Sequence, residues 1–289
     1  MSLEYHQPAT TEETFELVGR FPEAKLIAGG SDLMVQMRKS RRWPAALISL
    51  RRVEELTRIE EGARLRIGAT VPIRDVAAHP AVIAGLPALV DSIRGFGSPQ
   101  IRNVATLGGN LCNASPGADC APPLLVYGAR VELRDARGKR ELPVEDFVLG
   151  PGETALRPGE ILTAILLDPP ANGTRSVFLR KGRVQMDLAI ASVAALVEMD
   201  GPTCVTARIA AGAVAPVPLR LRRTEAIIEG SDVGPETRAL AAMEAQGEVS
   251  PISDIRASQE YRRRLTGVLV KRSLAWLVPG AAAGGGGAQ

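Results

Sequence analysis

Ala105-Thr-Leu-Gly-Gly-Asn-Leu-Cys-Asn-Ala-Ser-Pro-Gly-Ala-Asp119 decides the fold of this chain, and a shorter stretch, Leu26-Ile-Ala-Gly-Gly-Ser-Asp-Leu33, reads the same way. Both carry a glycine pair after an apolar, strand-like approach and end in small hydroxyl, amide or carboxylate residues. Glycine lets the backbone come close to a ligand and take up positive φ. The polar side chains beside it can hydrogen-bond phosphate oxygens and ribose hydroxyls. One Gly-Gly pair also makes an ordinary turn. Two of them in the first half of one chain point to a long ligand with two phosphates, held from two sides.

Composition narrows the classes. At 289 residues the chain has room for a large core and about two domains. Hydrophobic residues at 45% and charged residues at 23% fit a globular protein. A formal net charge of +3 argues against nucleic acid as a partner. Local clusters such as Arg38 to Arg42 and Arg220 to Arg223 read as solvated faces or subunit contacts. Cys112, Cys120 and Cys204 are too few for a disulfide scaffold, lack zinc spacing, and cannot supply the four thiolates of an iron–sulfur cluster. Any cluster must lie in another chain. The first residues lack the pattern of a signal peptide, and no apolar run nears the ~20 residues of a membrane span. The expected location is the cytoplasm.

Helices are expected over Glu12 to Val18, capped by Thr10 or Thr11, and from a Ser31 cap through Met37. The strand Lys25 to Ala28, the first glycine pair and that second helix together place free N–H groups at a helix start, which suits an anion. Further strands are expected at Ala46 to Leu50 and Leu65 to Ala69, then a helix begun by Pro72 and another over Leu86 to Ile93. Arg130 to Arg134 and Arg140 to Leu142, around Asp135-Ala-Arg-Gly138, give a hairpin signal. Pro169-Pro-Ala-Asn-Gly173 is the boundary signal. Beyond it come strands Ser192 to Met199 and Val205 to Ala211, then helices Leu221 to Ile228, Glu236 to Glu244 and Ser258 to Leu277. In the last, Tyr261, Leu265, Val268, Leu269 and Trp276 recur at helical spacing and read as core. Residues 280–289 are low in complexity and read as disordered.

No G-x-G-x-x-G stands at a strand–helix junction and no G-x-x-x-x-G-K-S/T occurs, which disfavours Rossmann and P-loop folds. Instead, Ala105 to Asp119 resembles the second FAD-binding segment of the xanthine dehydrogenase and carbon monoxide dehydrogenase flavoproteins, and Ile27 to Asp32 resembles their first. These are the medium subunits of molybdenum hydroxylases. Ile67-Gly-Ala-Thr70, Arg157-Pro-Gly-Glu-Ile161 and Phe178 to Ala189 fall in the family's order, so the resemblance covers all but the Gly-rich tail. It implies an α+β fold: a two-subdomain FAD-binding region of the p-cresol methylhydroxylase/vanillyl-alcohol oxidase type over 1–173 (subdomains about 1–55 and 56–173). A C-terminal α+β domain of the CO dehydrogenase flavoprotein type follows over 174–279.

The resemblance also implies residue roles. Ile27, Ala28, Gly29, Gly30, Ser31, Asp32 and Leu33 would wrap the diphosphate, with Gly108, Gly109 and Asn110 as the second half of the clamp and Thr106 nearby. Asp119 would accept from ribose or ribityl hydroxyls. Asn113, Phe96 and Leu156 match positions near the cofactor. The family's Phe-x-Lys stands here as Phe178-Leu-Arg180 followed by Lys181, and Arg180 is the cation expected near the flavin, with Lys181 as the alternative. The implied function is electron transfer with no catalytic acid or base. Electrons would come from 2Fe–2S clusters in a small subunit, which are fed by a large molybdopterin-binding subunit. They would leave through noncovalent FAD to NAD, oxygen, a quinone or another acceptor. The heterotrimer could pair into a dimer of heterotrimers.

Plainer readings stand beside these. Asp32 also fits a helix-dipole carboxylate. Cys112 and Cys120 read as small buried residues rather than redox groups. His6 and His79, the only histidines, stand in settings that do not suggest a flavin linkage. Trp43 and Trp276 read as packing or subunit contacts. Two other functions compete: a self-sufficient FAD-dependent oxidoreductase, and a structural subunit without flavin.

Overall fold

The computed structural model describes residues 3–184 and 186–279. The tail over 280–289, read above as disordered, lies outside the described residues. Two compact units interleave along the chain. The first comprises residues 3–79, 98–115 and 128–169, the second 80–97, 116–127 and 170–279. Among the described residues no helix is long and apolar enough to cross a membrane.

The first unit holds two main sheets. Strands Glu4–His6, Ala46–Ser49 and Lys25–Ile27 form a small parallel sheet with Ala46–Ser49 in the middle. All four residues of that middle strand are buried, as a strand with neighbours on both sides requires. The second sheet is antiparallel, in the order Ile59–Glu60, Leu65–Gly68, Ile161–Leu167, Arg130–Asp135, Gly138–Pro143. Ile161–Leu167 is its centre and is buried along its whole length. The hairpin expected from Asp135-Ala-Arg-Gly138 forms because the Asp135 carboxylate accepts from the N–H groups of Arg137 (2.8 Å) and Gly138 (3.0 Å).

The first helix, Thr11–Arg20, starts as expected: Thr10 is extended and its hydroxyl accepts from the Glu13 N–H. The second helix corrects the sequence reading. It runs over Leu33–Ser40 and Ser31 does not cap it. Asp32 occupies the cap position in a helical conformation and makes no side-chain cap bond. A cap needs extended backbone to aim its oxygen back at the first turn, and this residue does not have it.

In the second unit, Arg175–Lys181, Ala191–Asp200, Thr203–Gly212 and Leu219–Arg220 form an antiparallel sheet. Its apolar side packs with Ala241, Ala245, Leu269, Val270, Leu274 and Leu277 of the last two helices. Here the core expected along the final helix, Gln259–Leu277, is rotated. Tyr261, Val268 and Trp276 are exposed and Leu265 is only partly buried. The buried face is Arg262, Thr266, Leu269, Val270, Ser273, Leu274 and Leu277. A shift of one residue turns a helix by about 100°, and the buried stripe is carried by Leu269, Val270, Leu274 and Leu277 with Arg262, Thr266 and Ser273 beside them.

Two of the polar residues are tolerated because they are bonded internally. Arg262 is 4% exposed and donates to the carbonyls of Ile190 (2.7 Å) and Ala213 (3.0 Å) and to Asp254 Oδ1 (2.7 Å). Thr266 donates to the Arg262 carbonyl at 2.9 Å. Arg262→Met should therefore destabilise the chain by about 3 kcal/mol, because it leaves the Ile190 and Ala213 carbonyls without this donor and takes one of its donors from Asp254, which keeps Arg256 and the Ala257 N–H. Urea unfolding measures this; a change under about 0.5 kcal/mol, the range of an ordinary surface substitution, would refute it.

Candidate functional site

Within the first unit the two glycine loops meet. Gly29 lies so close to the backbone of Val104 and Ala105 that a Cβ there would fall on the Val104 carbonyl. From the helix that follows, Gln36 Nε2 donates to Asn113 Oδ1 at 2.8 Å. Gly30 turns the chain at φ +72°, a conformation open to glycine. After that turn the N–H groups of Ser31 and Asp32 make no hydrogen bond among the described residues. Ile27 ends its strand opposite Ser49, and Ile27, Ala28, Ser31 and Leu33 are half-buried while Asp32 is exposed.

The second loop is a helical turn, Leu107–Cys112, rather than an open loop. Thr106 caps it: its hydroxyl accepts from the Gly109 N–H at 3.0 Å. The approach is pinned to residues 69–73 by Ile73 N–H to Ala105 O (2.9 Å), Leu107 N–H to Val71 O (3.4 Å) and Gly108 N–H to Ala69 O (3.1 Å). A Cβ on Gly108 would stand 2.6 Å from the Ala69 oxygen. Gly109 is exposed, and a Cβ on it would meet Thr106 Oγ1 at 2.8 Å. Asn110 is 9% exposed and its Oδ1 has no partner. Leu156 belongs to this unit and is half-buried.

The second unit contains Phe96, Asp119 and Arg180. Phe96 is half-buried and follows the helix Pro87–Arg94. Asp119 is 5% exposed. Its Oδ2 accepts from Arg180 Nη1 at 2.8 Å, and its Oδ1 has no partner. Arg180 Nη1 also donates to the Gly95 carbonyl at 2.6 Å, and Nη2 to the Asp187 carbonyl. Lys181, the alternative cation, ends the same strand and is exposed. Sequence reading missed Gln36, Gly95 and Asp187; the last two act through their carbonyls, which no residue type advertises.

Asn110 Oδ1 and Asp119 Oδ1 are buried acceptors of the kind that a polyhydroxylated ligand satisfies, and burying them without donors costs free energy. Free N–H groups at Ser31 and Asp32 suit a phosphate. The residues of the first unit therefore fit FAD: a diphosphate at the first loop and a hydroxyl donor for Asn110 Oδ1. Burial pushes the thiols of Cys112 and Cys120 up to about 12, far from the thiolate form. Trp43 and Trp276 are both exposed.

Burial pushes the Asp119 carboxyl up from the usual 3.8 to about 6, and the neighbouring Arg180 opposes this only in part. The folded chain thus holds this proton more tightly than the unfolded one. The cost of ionising Asp119 is absent below about pH 3.8 and fully present above about pH 6. The stability of the wild-type chain relative to Asp119→Asn should accordingly fall as pH rises between those values, in ligand-free protein. Parallel unfolding curves at three pH values test it; a constant difference is the contrary result.

Comparison with known proteins identifies the family. The model of the FAD binding domain in molybdopterin dehydrogenase matches residues 1–169, and that of the CO dehydrogenase flavoprotein C-terminal domain matches residues 177–277. The xanthine dehydrogenase FAD-binding subunit of Escherichia coli O157:H7 is 33% identical over 97% of each chain. The carbon monoxide dehydrogenase medium chain of Hydrogenophaga pseudoflava is also 33% identical, over 94% of this chain and 96% of its own. A solved structure of quinoline 2-oxidoreductase from Pseudomonas putida 86 superposes with a TM-score of 0.92 at 30% identity, over 97% of this chain and 98% of the other. The fold is the α+β arrangement of those flavoproteins, and the chain belongs to the family of FAD-binding subunits of the xanthine dehydrogenase and carbon monoxide dehydrogenase type.

Proposed function

We propose that this chain is the FAD-carrying electron-transfer subunit of a molybdenum hydroxylase, working in the cytoplasm beside a small 2Fe–2S subunit and a large molybdopterin-binding subunit. The observation that carries the reading is the meeting of the two glycine loops, with free N–H groups on one and an orphaned Asn110 Oδ1 on the other. When bound, FAD supplies redox chemistry that no side chain has, taking electrons from the iron–sulfur partner and releasing them to NAD, oxygen, a quinone or another acceptor.

The chain's own residues bind and orient. Ser31 and Asp32 offer backbone donors to the diphosphate, and Gly30 supplies the turn that exposes them. Thr106 holds the start of the second loop, so that Gly108, Gly109 and Asn110 keep one conformation. Asp119 accepts from a cofactor hydroxyl through the oxygen that Arg180 leaves free. Phe96, Asn113 and Leu156 are assigned to the cofactor's surroundings. No side chain is given acid or base work. Residues 1–173 serve as the FAD-binding region and 174–279 as the C-terminal domain.

Purified full-length chain should release close to one FAD per chain on denaturation, with the absorbance of an oxidised flavin before it. Alone it should oxidise no organic substrate. Turnover without partner chains would replace the subunit reading with a self-sufficient oxidoreductase. A chain that never takes up FAD would mark a structural subunit.

Asp119→Ala and Gly109→Val should each lower FAD retention by about tenfold or more. The first removes an acceptor; the second drives a Cβ into Thr106 Oγ1 and undoes the cap. Full flavin content in both variants would show that the site lies elsewhere.

A further inference from the structure

Arg180 occupies the position where family resemblance places a cation beside the flavin, yet its bonds describe another task. Its guanidinium side chain is 12% exposed. Nη1 carries two hydrogens and faces two acceptors, Asp119 Oδ2 at 2.8 Å and the Gly95 carbonyl at 2.6 Å. Nη2 donates to the Asp187 carbonyl. With both Nη1 hydrogens committed inside the protein, that nitrogen has none for a ligand. Asp119, by contrast, keeps one buried oxygen without a partner.

We infer that Arg180 is a positioning residue: through Nη1 it holds Oδ2 of Asp119 so that Oδ1 is presented to a hydroxyl of the cofactor. This rests on the FAD reading above. The two carbonyls fix the guanidinium from either side, one at the end of the helix Pro87–Arg94 and one in the turn after the strand Arg175–Lys181. A rotation of the Asp119 carboxylate would break its ion pair and leave a buried cation short of its partner, which is costly. One oxygen is thereby held and the other presented at a fixed position.

The inference also explains why arginine stands here. A guanidinium offers two nitrogens in a rigid plane, so it can bind a carboxylate and two carbonyls at fixed angles. A lysine ammonium offers one nitrogen on a flexible stem. It would preserve the charge and lose the fork. Arg180→Lys therefore separates the two roles, since a flavin-adjacent cation needs only charge whereas a positioning residue needs the geometry.

The test uses the full-length chain, stripped of FAD and titrated with FAD while flavin fluorescence is followed. A redox titration of the reloaded protein accompanies it. Arg180→Lys should bind FAD about tenfold more weakly while the midpoint potential of the flavin that does bind stays at the wild-type value. Arg180→Gln and Asp119→Ala should each weaken binding, and the double variant should bind no more weakly than the worse single, because both break one device. Should Arg180→Gln fail to fold, the double variant, which lacks the stranded carboxylate, still gives the comparison with Asp119→Ala. Wild-type affinity in Arg180→Lys, a shifted potential in that variant, or additive losses in the double variant would each overturn the inference. A wild-type chain that binds no FAD at all would instead overturn the functional reading on which it stands.

Discussion

Backbone lying directly on backbone is the constraint from which the first unit's site follows. At Gly29 the chain touches Val104 and Ala105 with no side chain between, and at Gly108 it touches Ala69 in the same way. Three strands of chain far apart in sequence are thereby brought within bonding distance, and N–H to carbonyl bonds from residues 105–108 to residues 69–73 lock them. The glycines are required by the protein's own packing before any ligand arrives. Polar groups beside them are then held in place, half-buried at Ser31 and buried at Asn110, which is the arrangement a binding loop needs.

This gives the double-glycine motifs two meanings at once. Reading them as a phosphate cradle explains Gly30, whose positive φ frees the N–H groups that follow. It does not by itself explain Gly29 or Gly108, whose absent side chains make room for carbonyls of the same chain. Gly109 belongs with Thr106, since any larger residue would push against the capping hydroxyl.

Much of the architecture was legible where local chemistry decides the outcome. Thr10 with Glu13, Pro72, and Asp135 with Gly138 each imply a cap, a helix start or a turn, and each forms. The family resemblance reached further and identified the fold. What escaped was set by contacts between distant segments. Ser31 has a capping side chain, but the turn at Gly30 puts Asp32 in helical backbone and no cap forms. Tyr261, Val268 and Trp276 also recur at helical spacing, yet the buried face is the neighbouring one, which carries Leu269, Val270, Leu274 and Leu277 and whose Arg262 finds carbonyls at Ile190 and Ala213. Neither acceptor is visible in composition or spacing. The three bonds of Arg180 are hidden for the same reason.

The two orphaned oxygens, on Asn110 and Asp119, have a consequence for the protein's life in the cell. A folded chain with unmatched buried acceptors gains stability from any ligand that matches them, in proportion to the logarithm of that ligand's free concentration. Such a chain is easiest to unfold, and most open to proteolysis, when the ligand is scarce. Abundance of the subunit would then be expected to follow the supply of such a ligand, because a filled chain populates its unfolded state less.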